Sequence, residues 1–142
     1  MTQLLVDTSV LIKWFHSERE REVTQARAIR DAHVRGDVDA HVLDLAVYEM
    51  GNVLSRALQW SASDVAEQLD DLLLIVGPPL AMAQPWLRTA ADLAAAHGLT
   101  FYDASWAAAA SELGVPLVSA DRQLISAGLA VSPTAFAAGL TP

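Results

Sequence analysis

Short apolar runs alternate along this chain with stretches of helical periodicity, and that alternation restricts the folds open to it. Gln3-Leu4-Leu5-Val6 stops at Asp7, Ala40-His41-Val42-Leu43 stops at Asp44, and Val115-Pro116-Leu117-Val118-Ser119 runs to within one residue of Asp121. Leu80-Ala81-Met82 and Leu129-Ala130-Val131 are weaker runs of the same kind. A short run with no polar alternation reads as a strand covered on both faces. Strands separated by helices need crossovers, and crossovers make neighbouring strands parallel. The expected fold is therefore α/β, a three-layer α/β/α sandwich around a central, mainly parallel sheet of four to five short strands.

Helix signals fill the gaps. Thr8 and Ser9 open a short helix through Phe15. Ser17-Glu18-Arg19-Glu20 has the spacing of a capping box and predicts a long helix from there to about Arg35, stopped by Gly36. A helix from Leu45 to about Leu58 carries Leu45, Tyr48, Glu49, Asn52, Val53 and Arg56 along one mixed face. Ser61 or Ser63 starts the next helix, which breaks at Gly77-Pro78-Pro79. Further helices run from Gln84 or Pro85 to His97 and from near Asp103 to Gly114. No repeat or linker interrupts residues 1–142, which read as one domain.

Composition excludes several classes. Apolar residues make up 53% of the chain and charged residues 18%, which rules out a disordered chain. No apolar run is long enough to span a bilayer, and the N-terminal run is cut by Asp7, so neither a span nor a leader is expected. With no cysteine there is no disulfide or thiolate site, which fits a cytoplasmic location. The net charge of −8 argues against a broad basic face for duplex nucleic acid. It leaves room for an enzyme that handles nucleic acid through metal ions and a few arginines.

Four acids sit where elements begin or end: Asp7, Glu49, Asp103 and Asp121. In an open parallel sheet the carboxyl ends of the strands border the binding crevice, so all four are placed to face one cleft. Each has a plainer reading. Asp7 and Asp103 are placed to cap helices, and Asp121 suits a turn. Glu49 is the hardest to dismiss, because an unpartnered carboxylate on a half-apolar helix face is costly. Carboxylates within about 4–6 Å raise one another's pKa unless a cation compensates. An all-oxygen set suits Mg²⁺, with Mn²⁺ as a substitute. His16, His33, His41 and His97 share no ligand spacing with the acids, which disfavours zinc. Ser9, Asn52 and Ser119 lie beside the acids as supporting groups.

Four segments in order resemble the PIN-domain family, and within it the VapC-type toxins of toxin–antitoxin pairs. They are Val6-Asp7-Thr8-Ser9-Val10-Leu11, Tyr48-Glu49-Met50-Gly51-Asn52-Val53-Leu54, Gly98-Leu99-Thr100-Phe101-Tyr102-Asp103-Ala104, and Pro116-Leu117-Val118-Ser119-Ala120-Asp121-Arg122. The resemblance implies a Mg²⁺- or Mn²⁺-dependent endoribonuclease that cuts structured RNA in tRNA or rRNA loops. It carries Asp7, Glu49, Asp103 and Asp121 over as metal-binding, catalytic acids, supported by Ser9, Asn52 and Ser119. It also implies a VapB-type antitoxin partner, which the acidic chain suits, and a homodimer within a larger toxin–antitoxin assembly. Trp14, Phe15, Leu45 and Tyr48 are candidates for the antitoxin groove, with core packing as their plain reading.

The alternative is a non-catalytic PIN-like protein-binding module, which would have lost acids. A dehalogenase-type phosphotransferase needs a second acid where this chain has Ser9. A dinucleotide-binding fold needs a Gly-x-Gly-x-x-Gly turn that is absent here.

Overall fold

The structure is a computed structural model that describes residues 1–140; Thr141 and Pro142, the end of the expected single domain, lie outside the described residues. Strand β1 (Thr2–Val6) is the centre of the sheet. Leu4, Leu5 and Val6 are all fully buried, so the alternating side chains of β1 meet cover on both faces. That cover is the three-layer arrangement. Helix α1 (Thr8–Phe15) follows β1, then α2 (Val23–Arg35) and β2 (Val38–His41). Helices α3 (Leu45–Asn52), α4 (Ala62–Val76), α5 (Gln84–His97) and α6 (Phe101–Leu113) precede β3 (Leu117–Val118). Two short helices, α7 (Arg122–Ser126) and α8 (Pro133–Ala137), end the described chain.

The sheet has the order β2-β1-β3 with both pairings parallel. Among the described residues three strands form where four to five were expected. The two weaker runs contribute one parallel bridge each, Leu43 with Leu80 and Val118 with Val131. Their neighbours are committed elsewhere. Pro78 and Pro79 bring no N–H to a ladder, and Ser132 caps α8 directly after Val131.

The α1–α2 connection also departs from expectation. The helix expected from Ser17 begins at Val23, and Arg19 and Glu22 adopt left-handed backbone, φ 61° and 56°. Lys13 supplies the reason. It is the one lysine of the chain and is 6% exposed. A buried ammonium needs a partner, and Glu20 provides it at 2.9 Å. The carboxylate that would have closed the capping box is thereby taken. Arg27 and Arg30 then satisfy the last carbonyls of α1, donating to the Lys13 and Trp14 oxygens at 3.0 and 2.5 Å.

Helix α3 does not continue to Leu58 as α-helix. Residues Val53–Ala57 widen into a π-helical turn. Its buried stripe is Ala46, Met50 and Leu54, one position away from the mixed face expected from the sequence. Tyr48 and Asn52 are consequently exposed, and Glu49 lies at the boundary. Trp14 is core rather than groove, at 1% exposure. His33 is structural: Nδ1 accepts from the Ala40 amide at 3.0 Å, so Nε2 donates to the Ile75 carbonyl at 2.7 Å.

Candidate active site

The strand order decides where a site forms. The chain leaves β1 toward β2 on one side, and β3 lies on the other. The crevice beyond the carboxyl ends of β1 and β3 is the switch point of the sheet. Asp7 follows β1, and its amide donates to the Val118 carbonyl of β3 at 3.1 Å. Asp121 follows β3. The hollow at the opposite end of the strands, lined by Thr2, Val38 and Pro116, contains none of the four acids.

Asp7 is 5% exposed and caps α1. Its Oδ1 accepts the Ser9 amide at 3.0 Å and a short hydrogen bond from the Ser9 hydroxyl. The Ser9 Oγ in turn accepts the Ala120 amide at 2.9 Å and lies 3.4 Å from the Ser119 Oγ. Ser119 is fully buried and accepts the Asp121 amide at 3.0 Å. Ser9 and Ser119 thus tie the end of β1 to the end of β3. Burial pushes the Asp7 carboxyl up from 3.8 to about 6, against the lowering effect of the Ser119 and Ser9 hydrogen bonds and with a further push from the charge of Glu49.

Glu49 projects from α3 and is held through Oε1 alone. The Thr8 hydroxyl donates to it at 2.8 Å and the indole of Trp106 at 3.1 Å. Trp106 is 1% exposed on α6, so the indole is fixed by the core before it meets the acid. Asp121 caps α7, its Oδ1 accepting the Gln123 and Leu124 amides at 2.8 and 3.4 Å. Both strand-end acids therefore are caps, Asp7 as its plain reading held and Asp121 in place of the turn expected for it, and each uses one oxygen for the task.

Asp103 is not a cap. Thr100 caps α6 and accepts the Asp103 amide at 3.1 Å, which leaves the Asp103 carboxylate on the first turn, half-buried. Its pKa is raised, first by burial, then by the charges of Asp121 and Glu49, against a lowering hydrogen bond from Thr100. Asp7 feels the charge of Glu49, and Asp103 feels the charges of both Asp121 and Glu49, so one field links the four acids. Among the described residues no three of them close into a metal cage. Asn52 is exposed one turn beyond Glu49 and makes no side-chain hydrogen bond among the described residues.

A PIN domain model matches residues 4–128. This chain belongs to the PIN-domain family. The match contains all four acids of this PIN domain. It is 34% identical over 128 residues to ribonuclease VapC3 of Pyrobaculum aerophilum, covering 86% of this chain and 92% of that protein. It is 34% identical over 85 residues to exonuclease VapC9 of the same organism, covering 60% of this chain and 64% of that protein. Among solved structures it is similar to PAE2754 of P. aerophilum, with 26% identity and a TM-score of 0.69 over 96% of this chain and 95% of that one.

Thr8, Thr100 and Trp106 are the site residues that sequence reasoning missed. Two had a signal. Thr100 stands three residues before Asp103, the spacing of a cap with its N3 acid. Trp106 stands three residues after Asp103, on the same side of α6. Thr8 had none, because its partner is forty-one positions away.

Proposed function

We propose that this PIN domain is a divalent-metal-dependent endoribonuclease and the toxin of a toxin–antitoxin pair. The observation that carries the reading is the division of labour within the carboxylates. Asp7, Glu49 and Asp121 take their amide, hydroxyl and indole hydrogen bonds on one oxygen, Oδ1, Oε1 and Oδ1. Among the described residues these bonds leave the second oxygens for a ligand, in a crevice that repels a further negative charge.

The donor set is carboxylate oxygen, a hard set that fits Mg²⁺ or Mn²⁺ and not a thiophilic ion. Asp7, Glu49, Asp103 and Asp121 would hold it. A site that does not close into a full protein cage suits Mg²⁺, which keeps waters and takes substrate phosphates as ligands. When bound, the ion supplies the positive charge that activates water and stabilises a leaving oxygen. The chain's own residues do the positioning. Ser9 and Ser119 orient Asp7 and lock β1 to β3. Thr8 and Trp106 fix Glu49. The first turns of α6 and α7 place Asp103 and Asp121 where backbone N–H groups support their charge.

The names ribonuclease and exonuclease carried by the two relatives support a nuclease. RNA as the substrate, and an unpaired loop as the cut site, rest on the VapC resemblance and on the ease with which unpaired nucleotides enter a crevice closed to a duplex. A basic VapB-type antitoxin suits the net charge of −8. Exposed Leu74, Leu87 and Leu113 offer apolar surface for a homodimer. Among the described residues no helix is long and apolar enough to cross a membrane.

The test is cleavage of a total RNA pool by the wild-type protein and Asp7→Asn, each with Mg²⁺, Mn²⁺ or EDTA, followed by sequencing of new 5′ ends. Discrete internal cuts that need metal and vanish in the variant are expected. A folded, antitoxin-free wild type that makes no cut shifts the reading to a binding module.

A further inference from the structure

The connection between α1 and α2 alternates in charge, Glu18-Arg19-Glu20-Arg21-Glu22, and the structure sorts the two signs. Two of its acids are occupied. Glu20 pairs with buried Lys13 at 2.9 Å. Glu22 accepts the Thr134 amide at 3.0 Å and the Thr134 hydroxyl at 2.5 Å. Held at these points, the loop carries left-handed backbone at Arg19 and Glu22. Backbone strain of this kind persists only where surrounding contacts over-determine it.

The arginines between those anchors are treated differently. Arg19 and Arg21 are exposed, and they line one cavity of about 590 Å³ together with Lys13, Glu20, Glu22 and Arg122. Among the described residues Arg19, Arg21 and Arg122 form no ion pair. Four of the nine basic residues of a chain with net charge −8 thus gather at one hollow, and the two acids there are already bonded. The cavity also borders the acid crevice. Ala120 lines it, and the same residue's amide donates to the Ser9 Oγ that holds Asp7. The Cα of Ala120 is about 3.8 Å from that of Asp121.

We infer that this cavity is a phosphate-binding subsite in which Arg19, Arg21 and Arg122 hold the RNA backbone next to the nucleotide being cut; the inference rests on the nuclease reading for its substrate. The chemistry is complementary to that of the crevice. Four carboxylates repel a polyanion, and a strand threaded past them needs compensating cations beside them. Guanidinium groups free of carboxylate partners give bidentate contacts to phosphate. A basic antitoxin segment would be repelled from the same hollow, so strand and antitoxin would occupy different parts of the site.

The experiment measures binding of a fluorescent single-stranded RNA oligonucleotide in EDTA over a range of salt, with wild type, Arg19→Gln/Arg21→Gln, Arg122→Glu and the charge-matched control Arg35→Gln/Arg88→Gln. EDTA separates binding from cleavage. At about 0.7 counterions per phosphate contact, the loop double variant should lower the slope of log K against log salt by about 1.4 and weaken binding roughly tenfold at low salt. The control should leave the slope unchanged. Arg122→Glu places an acid at the exposed first residue of α7, where it suits the helix dipole, so it keeps the fold and decides the matter if the loop variant does not fold. An unchanged slope in both cavity variants, equal weakening by the control, or no salt-dependent binding by the wild type overturns the subsite. Binding that behaves as expected, without any cleavage on adding metal, upholds the subsite and removes the nuclease reading.

Discussion

The acid crevice has a deep half and a shallow half, and they are built on different principles. In the deep half, Asp7 caps α1 through Ser9, whose hydroxyl is tied across to the Ala120 amide just beyond β3, and Glu49 is fixed by side chains from distant elements, Thr8 and the core indole of Trp106. The Asp7 carboxyl is pushed up to about 6, mainly by burial. In the shallow half, Asp103 and Asp121 stand at the starts of α6 and α7, Asp103 placed by its own amide's bond to Thr100 and Asp121 by the amides it caps. The deep half is expensive and prearranged, and the shallow half is cheap and local. A divalent cation held as proposed would offset the cost of the first and would also draw on the carboxylates of the second.

The largest effect separating the halves should come from Asp7→Asn. Losing several kcal/mol of charge stabilisation predicts a fall in cleavage of about 10³-fold, read as single-turnover rate on a defined RNA. The same substitution should stabilise the metal-free fold. A carboxyl raised from 3.8 to about 6 favours the folded state fully below the lower value, and that contribution is lost as pH rises through the upper one. At pH 7 the loss is about 3 kcal/mol, so the stability difference, Asp7→Asn minus wild type, should grow from pH 4 to pH 7 and then level off. Urea melts in EDTA at each pH measure it, and a flat difference would show that burial does not burden Asp7.

Trp106→Phe comes next. It keeps the aromatic core and removes the donor to Glu49, and loss of such an orienting contact predicts a 10–100-fold drop in activity or metal affinity. Trp14 supplies the contrast, since its Nε1 is buried with no hydrogen-bond partner among the described residues. Trp14→Phe should leave metal affinity unchanged in the same titration. Ser119→Ala strips the Asp121 amide of its acceptor and should cost about 1 kcal/mol in a urea melt.

The smallest change should come from Asp121→Asn in the shallow half. Asparagine caps a helix about as well as aspartate, so stability should stay within about 0.5 kcal/mol of wild type while Mn²⁺ affinity falls. Equal stability changes in Asp7→Asn and Asp121→Asn at pH 7 would erase the distinction between the halves.

Much of this could be read from the chain itself. Short apolar runs ending at acids gave away the parallel sheet; Asp7, Asp103 and Asp121 stood out by their places at element starts, and Glu49, inside α3, stood out as a carboxylate on a half-apolar face. Other features were not legible, because each depended on a partner far along the chain. Glu20 looked like half of a capping box until Lys13 claimed it. Asp103 looked like a cap until Thr100 filled that position. The side of α3 that is buried is decided by what packs on it, which moved the stripe from the Tyr48 face to Ala46, Met50 and Leu54.

The sequence by itself determined the local terms: where strands and helices lie, which acids stand at their ends, and the family to which that order belongs. Those follow from periodicity, turn chemistry and the fixed geometry of the backbone. Only the tertiary structure decided which oxygen of Asp7, Glu49 and Asp121 is spent on hydrogen bonds, how deeply Asp7 is buried, and that three arginines with no ion pair among the described residues share a hollow bordered by Ala120. These depend on desolvation and on contacts between residues as far apart as Glu22 and Thr134, and no local pattern encodes them.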